Sequence, residues 1–140
     1  MAESIQEAVA IWKKGLIFAA TANSGFTVQM DNPVNGAGFS PMELVLVGLA
    51  GCTGMDVIDI LLKKRQDITA LQVRVKGVRA DAHPRQYTSL HVLYVVTGRK
   101  VDQEAVRRSI ELSETKYCAV AATLRGAAQI TTEFEIREAA

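Results

Sequence analysis

The stretch that most constrains this chain is an apolar run that must be helical and that a small domain has little means of covering. It opens at FSPMEL, residues 39–44. Ser40 is a natural N-cap and Pro41 suits the first helical position. Glu43 stands three residues after Ser40 and completes a capping box, while Phe39 and Leu44 are spaced for a hydrophobic staple. These signals predict a helix running to about Lys64, where Lys63, Lys64 and Arg65 suit the negative end of the helix dipole. Between lies LVLVGLAGCTGM, residues 44–55, apolar on nearly every side. Such a helix is buried all round in a soluble protein. One small sheet covers one side only, so a second helix or a second subunit must cover the rest. Gly48, Gly51 and Gly54 each cost roughly 1 kcal/mol relative to Ala in a helix interior. Close helix contact would offset that cost, since a missing Cβ lets backbones approach. The prediction is an intimate homodimer with this helix near its centre.

Around the helix the pattern is mostly that of strands. Residues 4–12 mix Ile5, Val9, Ile11 and Trp12 with polar positions, and Leu16 to Ala20 is a short apolar run. Asn23-Ser24-Gly25 is a turn, after which Phe26, Val28 and Met30 alternate with Thr27 and Gln29 as in a half-buried strand. DNPVNGAG, residues 31–38, is a loop on its turn residues. Beyond the helix, Leu71, Val73 and Val75 alternate with Gln72, Arg74 and Lys76, and a more apolar strand runs from Tyr87 to Val96. Asp102 caps a helix with Val106 and Ile110 one turn apart, and a second helical piece spans about Tyr117 to Gly126. Ile130, Thr132, Phe134 and Ile136 make a final amphipathic strand. Three strands, a helix, two strands, a broken helix and one strand do not alternate regularly, so the fold class is α+β in one domain, residues 1–140.

Composition narrows the function. With 49% hydrophobic and 22% charged residues the 140-residue chain is that of an ordinary globular protein. A net charge of +1, with both signs intermixed, provides no stripe for nucleic acid. The apolar run from Leu44 to Met55 is short for a bilayer and is followed by Asp56 and Asp59, so no membrane span is expected. MAESIQEAV lacks the layout of a signal peptide, which points to a cytoplasmic protein in which a standing structural disulfide is not expected. The two cysteines, Cys52 and Cys118, are then inert core thiols, a redox pair or metal ligands.

Several residues could carry chemistry. Cys118 stands at the start of an apolar helical stretch, where the helix dipole and free N–H groups lower a thiol pKa. Asp56 lies four residues after Cys52, on the same helical face. A carboxylate there disfavours a thiolate unless a cation intervenes, and Lys13, Lys14, Arg79 and Arg85 are the candidates. Glu43 could be catalytic, although its capping role already explains it. His83 and His91 could complete a zinc site with the cysteines by count, but the spacings match no metal motif, and no metal is expected. Nucleophile elbows and phosphate-binding glycine loops are lacking.

SPMELVLVGLAGC at residues 40–52, with KYCAVAATL at 116–124, resembles the OsmC/Ohr family of osmotically induced and organic-hydroperoxide-resistance proteins. KRQDI at 64–68, VTGR at 96–99 and TKYC at 115–118 resemble the YhfA-like branch of small bacterial proteins within it. The resemblance covers the whole chain. It implies an intertwined homodimer with long central helices enclosed by antiparallel sheets, and a thiol-dependent peroxidase acting on small organic hydroperoxides. By motif position Cys52 would be the peroxidatic thiol and Cys118 the resolving one, with an external dithiol reductant and no bound cofactor. The family's catalytic Glu falls at Met42 here, one residue from Glu43, and its N-terminal Arg has no counterpart before Arg65. These departures favour a rival reading, an OsmC-like small-molecule binding protein with an unactivated Cys52.

Overall fold

The computed structural model describes residues 4–140 and contains six strands and three α-helices in the anticipated order. The chain divides into two compact units, Met1–Val45 and Leu46–Ala140. In the first, β1 (Ala8–Lys14), β2 (Ile17–Ala22) and β3 (Thr27–Met30) form an antiparallel meander. Trp12 pairs with Phe18, and Phe18 in turn with Met30, so one row of large side chains crosses all three strands. The following loop is held by its turn residues. Asp31, 2% exposed, accepts hydrogen bonds from the backbone N–H of Asn32 and Ala37, and Asn32 Oδ1 accepts from Asn35.

Helix α1 (Pro41–Lys63) starts where the capping signals place it. Ser40 Oγ accepts from the Glu43 N–H at 3.2 Å, and Glu43 Oε1 accepts from the Ser40 N–H at 3.0 Å. Within the second unit, β4 (Asp67–Arg79), β5 (Tyr87–Arg99) and β6 (Gln129–Glu138) form a sheet with β5 in the middle. β4 and β5 are antiparallel, whereas β5 and β6 are parallel, so this sheet is mixed rather than antiparallel throughout as expected. A parallel pair needs a long crossover, supplied by α2 (Gln103–Leu112), a π-helical turn (Ser113–Tyr117) and α3 (Ala119–Leu124). Being central, β5 is the most buried strand: Leu90, Val92, Tyr94 and Val96 are all at 2% exposure or less on one face. Ala105, Val106, Ser109 and Ile110 form the buried face of α2, and Arg107 and Arg108 pair with Glu104 and Glu111 outside.

Some expectations need correction. β4 extends beyond the alternating residues 71–76, because its polar ends are held by backbone pairing to β5, from Asp67 opposite Arg99 to Arg79 opposite Tyr87. The helix predicted from Tyr117 begins after Cys118, because the π turn occupies Ser113–Tyr117. Helix α1 is not covered on all sides within one chain. Its buried residues are Leu49, Thr53, Val57 and Leu61, four apart on one stripe, while Val47, Met55 and Leu62 are exposed. At 23 residues it is also long and apolar enough to span a bilayer by length and composition, a test that the core helix of a globular protein meets as well. Asp56, in its middle, bonds to Ser113, which ties this helix to the protein's own crossover.

Candidate active site: two thiols and a carboxylate

Helix α1 supplies two members of the site. Cys52 and Asp56 are one turn apart beside the buried stripe, both half-buried. The third comes from the crossover. The π turn closes with the Cys118 N–H on the Ser113 carbonyl at 2.9 Å, and Cys118 then acts as N-cap of α3, its Sγ accepting from the Ala121 N–H at 3.3 Å. The result is that Cys52 Sγ, Cys118 Sγ and an Asp56 carboxylate oxygen all lie within 4.8 Å of one another. Both cysteines are free thiols. Ser113, fully buried, donates from Oγ to Asp56 Oδ2 at 2.9 Å.

The electrostatics of Cys118 run against the sequence expectation. Burial pushes its pKa up to about 11, helped by hydrogen bonding with Cys52 and by the Cys52 and Asp56 charges. The Ala121 N–H acts in the lowering direction and is outweighed. One N–H bond at a helix start cannot offset desolvation of a thiol that is 3% exposed. Cys118 is thus a thiol that holds its proton more tightly than an ordinary one.

Tyr94 adds a buried hydroxyl to this region. Burial raises its pKa to about 12, and Glu114, Cys118 and Asp56 push the same way. Thr53 acts oppositely as a hydrogen-bonding neighbour, yet the Tyr94 hydroxyl has no partner at good hydrogen-bond geometry. The Thr53 hydroxyl donates instead to the Leu49 carbonyl at 2.8 Å.

The other residues raised by the sequence lie outside this cluster. Glu43 is held in its capping box, and hydrogen bonding to its carboxyl from the Ser40 backbone N–H, then from the Ser40 side chain, keeps that carboxyl below the usual range. The imidazole of His91 is bonded to Thr131 Oγ1 at 2.7 Å and Glu133 Oε1 at 2.8 Å, on the sheet surface. His83 is an exposed residue of the β4–β5 connection. Arg79 Nε donates to the Arg85 carbonyl at 2.8 Å, and Lys13 and Lys14 are exposed at the end of β1. Among the described residues none forms an ion pair with Asp56.

Comparison with known proteins decides what kind of scaffold carries this cluster. The family model described as OsmC-like protein matches residues 34–133. Protein YhfA of Escherichia coli K12 is 38% identical over 125 residues, covering 89% of this chain and 93% of its own. The chain belongs to the OsmC-like family. Among solved structures, a hypothetical protein from Aquifex aeolicus is similar with a TM-score of 0.89 and 28% identity, covering 99% of this chain and 100% of that one. The organic hydroperoxide resistance protein OhrB of Bacillus subtilis superposes with a TM-score of 0.63 at 17% identity, covering 94% of this chain and 98% of that one. At that identity the likeness is one of fold. OhrB therefore shares this OsmC-like scaffold.

Sequence reasoning paired Cys52 with Asp56 by helical spacing and with Cys118 by resemblance, but missed Ser113 and Tyr94. Ser113 has one local clue, its place in the polar SETK that precedes Cys118. A serine in a polar run carries no mark of burial, and the π turn that buries it was not foreseen. Tyr94 reads from sequence as one more core residue of an apolar strand.

Proposed function

We propose that this OsmC-like protein is a thiol-dependent peroxidase that reduces small organic hydroperoxides as a cytoplasmic homodimer. The observation that carries the reading is the approach of the two sulfurs to within 4.8 Å, from helices far apart in sequence. Cys52 would attack the peroxide. The O–O bond breaks, the alcohol leaves, and Cys52 becomes a sulfenic acid. Cys118 would then condense with it, forming the S–S bond and releasing water. An external dithiol would restore both thiols by exchange, becoming a disulfide itself. The raised pKa of Cys118 supports casting it as the resolving thiol, which keeps its proton until the sulfenate has formed. Glu43 enters the proposal as the acidic residue nearest to the family's catalytic position, with Met42 beside it. The exposed Val47, Met55 and Leu62 on α1 support a second subunit as cover.

One observation favours the rival reading, a binding protein with an unactivated Cys52. Asp56 stands beside the thiols without an ion-pair partner among the described residues, and a carboxylate there opposes thiolate formation. Stopped-flow oxidation by cumene hydroperoxide separates the two. The peroxidase reading requires fast loss of two thiols per chain, no fast phase in Cys52→Ser, and a trapped sulfenate in Cys118→Ser. Wild-type thiols that react no faster than free cysteine would leave the binding reading in place.

A further inference from the structure

Asp56 is the member of the cluster that peroxide chemistry does not use. Its position is nevertheless built. Helix α1 sets it one turn from Cys52, and buried Ser113 fixes one carboxylate oxygen with a 2.9 Å hydrogen bond. The other oxygen is left for a different partner. No lysine, arginine or histidine among the described residues forms an ion pair with it. Three side chains that are anionic when deprotonated thus converge on one point, with no cation paired to the carboxylate among the described residues.

We propose that Cys52, Cys118 and Asp56 form a binding site for a thiophilic divalent cation, Zn2+ foremost. Zinc accepts thiolate sulfur and carboxylate oxygen as donors at tetrahedral geometry. With Zn–S bonds near 2.3 Å, two ligand atoms of a tetrahedral site stand about 3.8 Å apart. The three donors here are within 4.8 Å of one another, so they need approach by only about an ångström to share an ion. Two of them sit at i and i+4 on one helical face, the spacing by which helices present a pair of metal ligands. Ser113 is the outer hydrogen bond that orients a ligating carboxylate. Tyr94 adds a buried hydroxyl without a hydrogen-bond partner among the described residues. Entry of the ion releases the thiol protons to solvent, and the three protein ligands leave a fourth position for water. The histidines that sequence counting would have enlisted are replaced by a carboxylate.

The test is a titration of the reduced protein with Cd2+, which reports its thiolate ligands by ultraviolet charge-transfer absorption. The expected result is a band that saturates at one Cd2+ per chain with the intensity of two thiolates and is competed away by Zn2+. Cys52→Ser and Cys118→Ser should each halve it, with circular dichroism confirming that both variants are folded. Asp56→Asn should keep the band and weaken Cd2+ binding by more than Ser113→Ala, which removes only the outer hydrogen bond and should cost roughly tenfold. Absence of a band at one equivalent would overturn the site, as would a one-thiolate band indifferent to Cys118→Ser. So would unchanged affinity in Asp56→Asn. The titration involves no peroxide, so its failure and the failure of the peroxidase reading are separate results.

Discussion

Ser113 and Asp56 are 57 positions apart in sequence and share a 2.9 Å hydrogen bond from hydroxyl to carboxylate. This bond joins the middle of α1 to the π turn that presents Cys118, so it bears on stability as well as on the thiol site. Hydrogen bonds to charged groups contribute about 1.5–3 kcal/mol. Ser113→Ala should therefore lower unfolding free energy by about 1–2 kcal/mol, because it strands a half-buried carboxylate. In urea denaturation, the Ser113→Ala and Asp56→Asn effects should be coupled by at least about 0.5 kcal/mol. Simple additivity would mean that the bond contributes nothing.

The raised pKa of Cys118 makes stability fall in alkali. Its folded value, about 11, lies above the ordinary 9.0, so the folded state holds the proton more tightly than the unfolded chain. That contribution is fully present below about pH 9 and is lost as pH rises through about 11. Urea midpoints measured across this interval should decline, and Cys118→Ser should flatten the decline. Cys52→Ser should bring the Cys118 titration, read by thiolate absorbance, closer to the ordinary range, because Cys52 contributes both a hydrogen bond and a charge to the shift.

The three glycines of α1 should separate by role. A Cβ at Gly54 would lie 3.2 Å from Val73 Cγ2, whereas at Gly48 and Gly51 it would meet nothing within 4 Å. Gly54 thus packs closely on β4, where an added Cβ needs the Val73 side chain to give by a few tenths of an ångström. For an isolated chain, Gly48→Ala and Gly51→Ala should each stabilise α1 by up to about 1 kcal/mol. If these positions face the proposed second subunit, the sign reverses. Both variants are then expected to shift the protein toward monomer in sedimentation equilibrium, while Gly54→Ala should reduce stability at any concentration.

Gly98 closes the end of the β4–β5 pair. A Cβ there would come within 2.1 Å of the Asp67 carbonyl oxygen and 2.7 Å of Val101 Cγ2. The first is backbone and cannot swing aside. Gly98→Ala should cost about 3 kcal/mol or more, at the upper end for single substitutions, read as a lower thermal midpoint. A variant of wild-type stability would mean that β4 and β5 part easily at this end.

Much of the fold was legible because its signals are local. Ser40, Pro41 and Glu43 mark a helix start through bonds spanning three residues, and both capping-box bonds are present. Alternation along β3, β4 and β6, and Asp102 before α2, are of the same kind. Asp102 Oδ1 accepts from the Glu104 N–H at 3.3 Å. The ends of β4 were not legible, since polar residues there are held by a partner strand rather than by their own pattern. The π turn was missed because its hydrogen bond differs from an α-helical one by a single residue, which leaves no mark on composition.

Residue types and spacings by themselves determined the order of elements, the start of α1, the i and i+4 relation of Cys52 to Asp56, and membership of a recognisable family. Each depends on interactions within a few residues or on motifs carried intact. Only the tertiary structure decided that Cys118 meets Cys52 and Asp56, that Ser113 orients the carboxylate, and that Cys118 is shifted upward in pKa rather than down. Those outcomes depend on how the crossover between β5 and β6 packs against α1, and on the burial that packing imposes. Desolvation depends on every atom surrounding a group, and most of those atoms belong to residues distant in the chain.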